Sequence, residues 1–162
     1  MIDREFKITS TPVIPGITFL EASAGTGKTY TISRLVVRLI AEKNLTISNI
    51  LVMTFTEAAT KELKDRIRKA VQETLQGLTQ PETTDLLAKQ YQETPDELIE
   101  IAKRLRTALA TFDEAAIFTI HGFCHRTLSE FAFEGNRLFE ATLIKEPTPL
   151  WRESVHDYWR KS

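Results

Sequence analysis

Three short apolar runs along the chain predict buried strands, at Ile17–Leu20, Ile50–Thr54 and Ala115–Ile120. Runs of this kind are typical of parallel strands that are covered on both faces. Between the first two runs the apolar residues recur at helical spacing, at Ile32, Leu35, Val36, Leu39 and Ile40. The order strand, helix, strand predicts a βαβ unit and therefore an α/β domain with a parallel sheet flanked by helices.

A second helix is predicted directly after the second strand, with Thr56 as its N-cap. Its apolar stripe comprises Ala59, Leu63, Ile67, Ala70 and Val71. Another face of the same helix carries Lys61, Lys64 and Arg68. A basic face of this kind is either simply solvated or a contact for nucleic acid, and the pattern leaves both interpretations open.

Helices also dominate the segment from about 77 to 113, which we predict to be an insertion that packs on the sheet. Thr94, Pro95 and Glu97 form a start signal, because threonine suits the N-cap, proline the first helical position and glutamate the capping box. A last amphipathic helix carries aromatic residues at helical spacing. They are Trp151, Tyr158 and Trp159, with Val155 between them. An aromatic face on a terminal helix suggests a partner surface.

Composition narrows the class of protein only modestly. The 162 residues are 42% hydrophobic and 27% charged, with a net charge of -1, which is ordinary for one soluble domain. The single cysteine, Cys124, excludes an internal disulfide and suits a reducing cytosol. The charged N-terminus does not resemble a signal peptide, and no stretch is long and apolar enough for a membrane span. We therefore expect a cytoplasmic protein without membrane contact.

The segment after the first predicted strand has the chemistry of a phosphate-binding loop, Ala22-Ser23-Ala24-Gly25-Thr26-Gly27-Lys28-Thr29. Gly25 and Gly27 let the backbone approach phosphates, and the following helix N-terminus favours an anion. Lys28 would pair with the β- and γ-phosphates, and the Thr29 hydroxyl would coordinate Mg²⁺. The standard pattern G-x-x-x-x-G-K-[ST] has glycine where this chain has Ala22.

Other candidate chemistry is weaker. Asp113-Glu114 resembles a magnesium-binding pair, but it precedes its strand, whereas a working pair must follow one. Asp96-Glu97 begins a helix. His121 and His125 are one helical turn apart and invite a zinc site, but a fourth ligand is not apparent. No basic partner marks Cys124 as a nucleophile.

Three elements occur in order, at 22–29, 54–63 and 119–123, and together they resemble motifs I, Ia and Ib of the superfamily 1 DNA helicases of the UvrD/Rep type. The longer segments around two of these motifs, Glu21–Ile32 and Phe112–Arg126, are similar in sequence to the RecB family of exodeoxyribonuclease V beta chains. The resemblance implies a RecA-like P-loop NTPase fold. It further implies that residues 1–162 are the N-terminal part of the ATP-binding domain 1A, with the next subdomain starting at about 147.

The resemblance also implies site residues, with ATP and Mg²⁺ as cofactors. The catalytic pair would be Lys28 and Thr29, and Thr29 would hold the magnesium through the nucleotide. The nucleotide would lie on residues 22–30: Ala22, Ser23, Ala24, Gly25, Thr26, Gly27, Lys28, Thr29 and Tyr30. Single-stranded DNA would lie on residues of the other two motifs: Thr54, Phe55, Thr56, Thr119, His121, Gly122 and Phe123.

The implied activity is that of an ATP-dependent DNA helicase subunit in double-strand break repair and recombination, acting on duplex ends and single strands with RecC- and RecD-type subunits. The chain departs from UvrD/Rep relatives in having no glutamine before the loop to read adenine; the first is Gln72. The metal-binding carboxylate pair is also missing, so we expect residues 1–162 alone to be inactive.

Three alternatives stay open. The chain could be part of an AddA- or UvrD-like helicase. It could be a small P-loop kinase, although motifs Ia and Ib would then have no purpose. It could also be a non-catalytic clamp or docking module that uses the face of Trp151 and Trp159.

Overall fold

The structure is a computed structural model that describes residues 6–21, 25, 27–131 and 147–161. The chain divides into two units, Met1–Phe123 and Cys124–Ser162. The first contains the sheet, the phosphate-loop glycines and most helices. The second contains the end of one helix and the whole of the last.

A two-stranded parallel sheet forms from the second and third predicted strands. Strand β1 is Val52–Thr54 and strand β2 is Ile117–Thr119, with Val52 opposite Ile117 and Thr54 opposite Thr119. Parallel neighbours require a long crossover connection, and here it consists of helices. The α/β class predicted from the sequence is thus confirmed at this level.

The predicted first strand is wrong in this structure. Residues 17–21 adopt no strand, and Ile17 and Phe19 are fully or largely exposed, at 103% and 78%. A strand needs a neighbour to which its backbone can donate and accept hydrogen bonds. Within the described residues β1 and β2 pair only with each other, so the segment before the phosphate loop has no such neighbour.

Helix α1, Lys28–Lys43, begins where the loop ends and stops at Asn44, which adopts a left-handed conformation with φ 54°. Its buried face differs from the predicted stripe. Val36 and Ile40 are buried as predicted, but Ile32, Leu35 and Leu39 are partly exposed. Because α1 packs against helices rather than on the sheet, its buried face instead includes Val37, Arg34 and Arg38.

Helix α2, Glu57–Gly77, follows β1 and begins at its predicted N-cap. The Thr56 hydroxyl accepts a hydrogen bond from the Ala59 amide at 3.1 Å. Four residues of the predicted stripe are buried: Leu63, Ile67, Ala70 and Val71. Ala59 is exposed.

Two further helices occupy the predicted helical segment, α3 (Leu86–Gln92) and α4 (Pro95–Ala110). Pro95 is the first residue of α4, as predicted, but the capping box does not form. The Thr94 hydroxyl instead donates to the Tyr91 carbonyl at 3.1 Å, because α3 ends close by and leaves that carbonyl available. Short 3-10 turns lie at Ile47–Asn49 and Phe112–Glu114.

The core of the first unit lies among α1, α2, α3 and α4, where Val37, Ile67, Leu105 and Phe112 are essentially inaccessible. Met53 and Phe118 are register partners, and Met53 is half exposed. One face of the sheet is therefore open within the described residues.

The last helices are α5, Ile120–Glu130, which directly follows β2, and α6, Thr148–Lys161. The predicted aromatic face of α6 is exposed at Trp151, Tyr158 and Trp159. No helix in the described part of the chain has both the length and the apolar character to cross a bilayer.

Candidate functional site

The described part of the phosphate loop has the backbone conformation that glycine permits. Gly25 and Gly27 have φ of 80° and 84°, a region that residues with a Cβ rarely adopt. An added Cβ would meet nothing within 4 Å at Gly25 and only the Tyr30 Cβ, at 3.9 Å, at Gly27. Glycine is thus required here by backbone geometry, and the space beside it is open. Ala22, Ser23, Ala24 and Thr26 lie outside the described residues.

The N-terminus of α1 suits an anion. Gly27 is the N-cap and has no side chain with which to cap the first amides, and the first turn contains no acidic residue. Lys28 is exposed and Thr29 is partly buried at this end. Backbone amides, a helix dipole, an ammonium and a hydroxyl are the donor set that a triphosphate with Mg²⁺ requires. The residues present therefore fit the cofactors that the sequence predicted.

Tyr30 lies in the first turn of α1, and the residue is 43% exposed. The guanidinium carbon of Arg34 lies 5.2 Å from the ring centroid, in cation–π geometry. The Ser33 hydroxyl donates to the Tyr30 carbonyl at 2.8 Å. The Tyr30 ring therefore packs against the Arg34 guanidinium and is partly open to solvent.

The residues predicted to contact DNA meet at one edge of the sheet. Thr54 and Thr119 are the last residues of β1 and β2 and are partners in the register. Because parallel strands point the same way, the segments that follow them start side by side at the carboxyl edge. Thr54, Phe55 and Thr56 thus lie beside Thr119, His121 and Gly122, a set that we call the strand-edge surface.

Three threonine hydroxyls of the β1 end are engaged within the protein. Thr54 lies 2.6 Å from the Thr60 hydroxyl and donates to the Thr56 carbonyl at 3.1 Å. Thr60 donates to the same carbonyl at 3.0 Å. The Thr56 hydroxyl caps α2, so these side chains shape the turn rather than present donors to a ligand.

Thr119 is likewise a structural residue of this surface, since it is only 6% exposed. Its hydroxyl donates to the Glu57 carboxylate at 3.2 Å and accepts from the Gly122 amide at 3.0 Å. The exposed members of the strand-edge surface are Phe55, at 86%, His121 and Thr56, whose hydroxyl already caps α2. Phe123 is partly buried.

Glu57 borders this surface, and the sequence assigned it no role there. It is the first residue of α2, where a carboxylate is favoured by the helix dipole. By bonding Thr119 it also ties the start of α2 to the end of β2. The only signal in the sequence was an acidic residue directly after an N-cap, which by itself predicts a helix start and no more.

The other candidate residues, namely the acidic pairs, the two histidines and the basic face of α2, lie on the elements that the sequence predicted for them. Asp113 and Glu114 form a turn before β2, and Asp96 and Glu97 lie in the first turn of α4. His121 and His125 lie on α5, and in the described ranges no three potential metal ligands come together. On α2, Lys61 and Arg68 are exposed and Lys64 is partly buried, and the guanidinium carbon of Arg68 lies 5.4 Å from the Phe112 ring centroid.

Comparison with known proteins places both the candidate phosphate loop and the strand-edge surface within one matched domain. Residues 5–159 match the sequence model of the UvrD/REP helicase N-terminal domain. The RecBCD enzyme subunit RecB of Escherichia coli (strain K12) is 41% identical over 156 residues, covering 91% of this chain and 13% of that protein. RecB of Haemophilus influenzae is 41% identical over 159 residues, with 90% and 13% covered. RecB of Mycobacterium tuberculosis (strain ATCC 25618 / H37Rv) is 37% identical over 142 residues, with 86% and 13% covered. The chain thus spans 13% of the length of each of these three relatives.

Proposed function

Because this chain belongs to the UvrD/REP helicase N-terminal domain family, we propose that it carries the ATP phosphate loop and part of the single-stranded DNA track of an ATP-dependent DNA helicase subunit. The domain would be RecA-like, corresponding to subdomain 1A. The helical segment from about 77 to 113 would be its insertion, and residues 147–162 would begin the next subdomain.

The observation that carries the nucleotide part of the proposal is the geometry of the loop. Two glycines with positive φ lead into α1, and Lys28 and Thr29 stand at that helix N-terminus. The amides and Lys28 would bind and orient the phosphates, and the Thr29 hydroxyl would hold Mg²⁺. Bound Mg²⁺-ATP would supply the phosphoanhydride bond whose hydrolysis drives movement.

The strand-edge surface supports the DNA part of the proposal. Phe55 offers an exposed ring on which a base can stack, and His121 offers an exposed polar side chain at the same edge of the sheet. The N-termini of α2 and α5 follow the two strands, and helix N-termini favour phosphate oxygens. A small P-loop kinase would explain the loop but would give this surface no role.

For the whole protein, the RecB relatives support a subunit of a RecBCD-type enzyme. We propose that it works in the cytoplasm on duplex DNA ends with RecC- and RecD-type subunits, as a helicase and exonuclease in double-strand break repair and recombination. An AddA- or UvrD-like helicase is the alternative within the same family.

Replacement of Lys28 tests the proposal. We expect Lys28→Ala in the intact protein to abolish detectable ATP binding in calorimetry and DNA-stimulated ATP hydrolysis, because it removes the ammonium beside the phosphates. The matched control is Lys103→Ala, an exposed lysine on α4 whose ion pair with Glu100 is long, at 3.9 Å. The control should behave as wild type. ATP binding that survives Lys28→Ala would contradict the proposal and favour a docking module.

A further inference from the structure

A charged cluster packs beside the first turns of α1, and apart from the contact of Arg34 with the Tyr30 ring it has no role in the site described so far. Arg34 is a buried arginine whose side chain is 9% exposed, and it forms an ion pair with Asp85, which is 6% exposed. A second nitrogen of Arg34 pairs with Glu73 at 2.9 Å. The Thr74 hydroxyl lies 3.0 Å from Arg34 and also bonds the Asp85 carboxylate at 3.2 Å. We call these four residues the Arg34 cluster.

The Arg34 cluster joins three helices. Arg34 comes from α1, Glu73 and Thr74 come from α2, and Asp85 is the N-cap of α3, where its carboxylate also accepts from the Ala88 amide at 2.8 Å. A buried charge is costly unless it is paired and hydrogen-bonded. The pairing therefore specifies one arrangement of the start of α3 against the start of α1.

The same guanidinium contacts the phosphate-loop end of the molecule. Its carbon lies 5.2 Å from the Tyr30 ring centroid, and Tyr30 follows Lys28 and Thr29 directly. The Nε of Arg34 is buried and has no hydrogen-bond partner in the described residues. The side chain is thus held by its two terminal nitrogens on one side and by a ring on the other. A lysine, with one compact charge, could not make these contacts together.

We propose that Arg34 is a positioning residue that couples helix α3 to nucleotide binding. Asp85 and Glu73 fix the guanidinium, the guanidinium fixes the Tyr30 ring, and the ring fixes the first turn of α1 in the conformation that binds phosphate. This inference rests on the proposed ATP site. It goes beyond that site because Asp85 lies 51 positions from Arg34 in the sequence and belongs to a helix with no assigned part in the chemistry.

Coupling of this kind is reciprocal. If the Arg34–Asp85 pair favours the nucleotide-binding conformation of the first turn, bound nucleotide must favour the pair by the same factor. Loss of the pair should then weaken ATP binding on the order of tenfold, within the usual range for coupled sites. It should also reduce the rise in melting temperature that saturating ATP produces.

Asp85→Asn is the sharpest variant, because asparagine is as good an N-cap as aspartate and keeps the side-chain volume while removing the charge. In the intact protein we expect the Kd for ATP to rise about tenfold, and KM for ATP to rise with little change in kcat. Arg34→Met removes the positive charge of the same ion pair and should have the same effect on the Kd and the KM for ATP. In the double variant the losses should not add, since both remove one interaction.

Arg38→Met is the matched control. Arg38 is also a buried arginine of α1, paired with Glu42 through two nitrogens at 2.6 and 3.0 Å and bonded to the Thr11 carbonyl at 2.6 Å, but none of these partners belongs to the first turn. The control should lower the melting temperature and leave the Kd for ATP unchanged.

The outcomes separate the two proposals. An unchanged Kd in Asp85→Asn, or an equal loss of affinity in Arg38→Met, would overturn the positioning role while the ATP site stands. A wild-type protein that binds no ATP would overturn the proposed function and this inference with it. A selective rise in Kd for Asp85→Asn and Arg34→Met would support the coupling.

Discussion

Thr54 and Thr119 are direct partners across the parallel pair β1–β2, although 65 positions separate them. The pairing brings two segments of distant sequence to one edge, where α2 and α5 begin. At this edge the threonine hydroxyls are used internally, and an aromatic ring and an imidazole are exposed. The division between supporting and exposed residues leads to separate predictions for stability and for DNA binding.

Phe55→Ala should weaken binding of single-stranded DNA by about 1–3 kcal/mol, because one stacked base contributes that much. The free energy of unfolding should hardly change, since Phe55 is 86% exposed. Fluorescence anisotropy with a labelled oligonucleotide measures the first quantity and urea unfolding the second. Ile99→Ala, at an apolar residue of α4 that is 77% exposed, is the control and should bind DNA normally. Equal affinities of Phe55→Ala and wild type would exclude stacking on Phe55.

Thr119→Val should lower the free energy of unfolding by about 1–2 kcal/mol, because the Gly122 amide and the Glu57 carboxylate would each lose a partner. Thr119→Ser keeps the hydroxyl and should lose less. Both are measured by urea unfolding at neutral pH. A valine variant as stable as wild type would show that these two bonds contribute nothing to the tie between β2 and α2.

Alkaline pH should destabilise the protein through Tyr91. Burial raises the pKa of this phenol well above its usual value near 10. The neighbouring Glu42 carboxylate accepts a hydrogen bond from the Tyr91 hydroxyl at 3.1 Å and raises the pKa further. A raised pKa in the folded state means that the stabilisation is fully present below about pH 10 and is lost as the pH rises beyond it.

Tyr91→Phe isolates this effect, because it removes the titrating group and retains the ring. We expect the free energy of unfolding to fall less between about pH 8 and pH 11 in the variant than in wild type. Urea unfolding at several pH values provides the comparison. Parallel pH profiles for the two proteins would contradict the assignment to Tyr91.

Residues 1–162 by themselves should bind ATP weakly and hydrolyse it negligibly. The carboxylates Asp113 and Glu114 lie before β2 and not after it, so they cannot hold Mg²⁺ at the carboxyl edge of the sheet. A phosphate-release assay with and without single-stranded DNA measures the turnover. A turnover close to that of a complete helicase would refute this prediction.

Local signals in the sequence predicted most elements correctly. Thr56 caps α2 because a threonine hydroxyl bonds the amide three residues on, and Pro95 starts α4 because the first helical residue needs no amide hydrogen. Such signals fail where a third group intervenes. Thr94 bonds the Tyr91 carbonyl instead of capping α4. They also fail where a strand needs a partner: the apolar pattern of Ile17–Leu20 favours a strand, but it cannot show whether a neighbouring strand is present, and the segment adopts none.

The sequence by itself determined the family resemblance, the α/β class and the position of the candidate phosphate loop, because glycines, caps and apolar periodicity act over a few residues. The roles of the individual residues at the strand-edge surface and the nucleotide contacts stay predictions. Only the tertiary structure decided that Glu57 holds Thr119 and that Asp85 holds Arg34, pairs separated by 62 and 51 positions. Contacts at such separations depend on how helices pack, and packing brings together charges that no local pattern pairs.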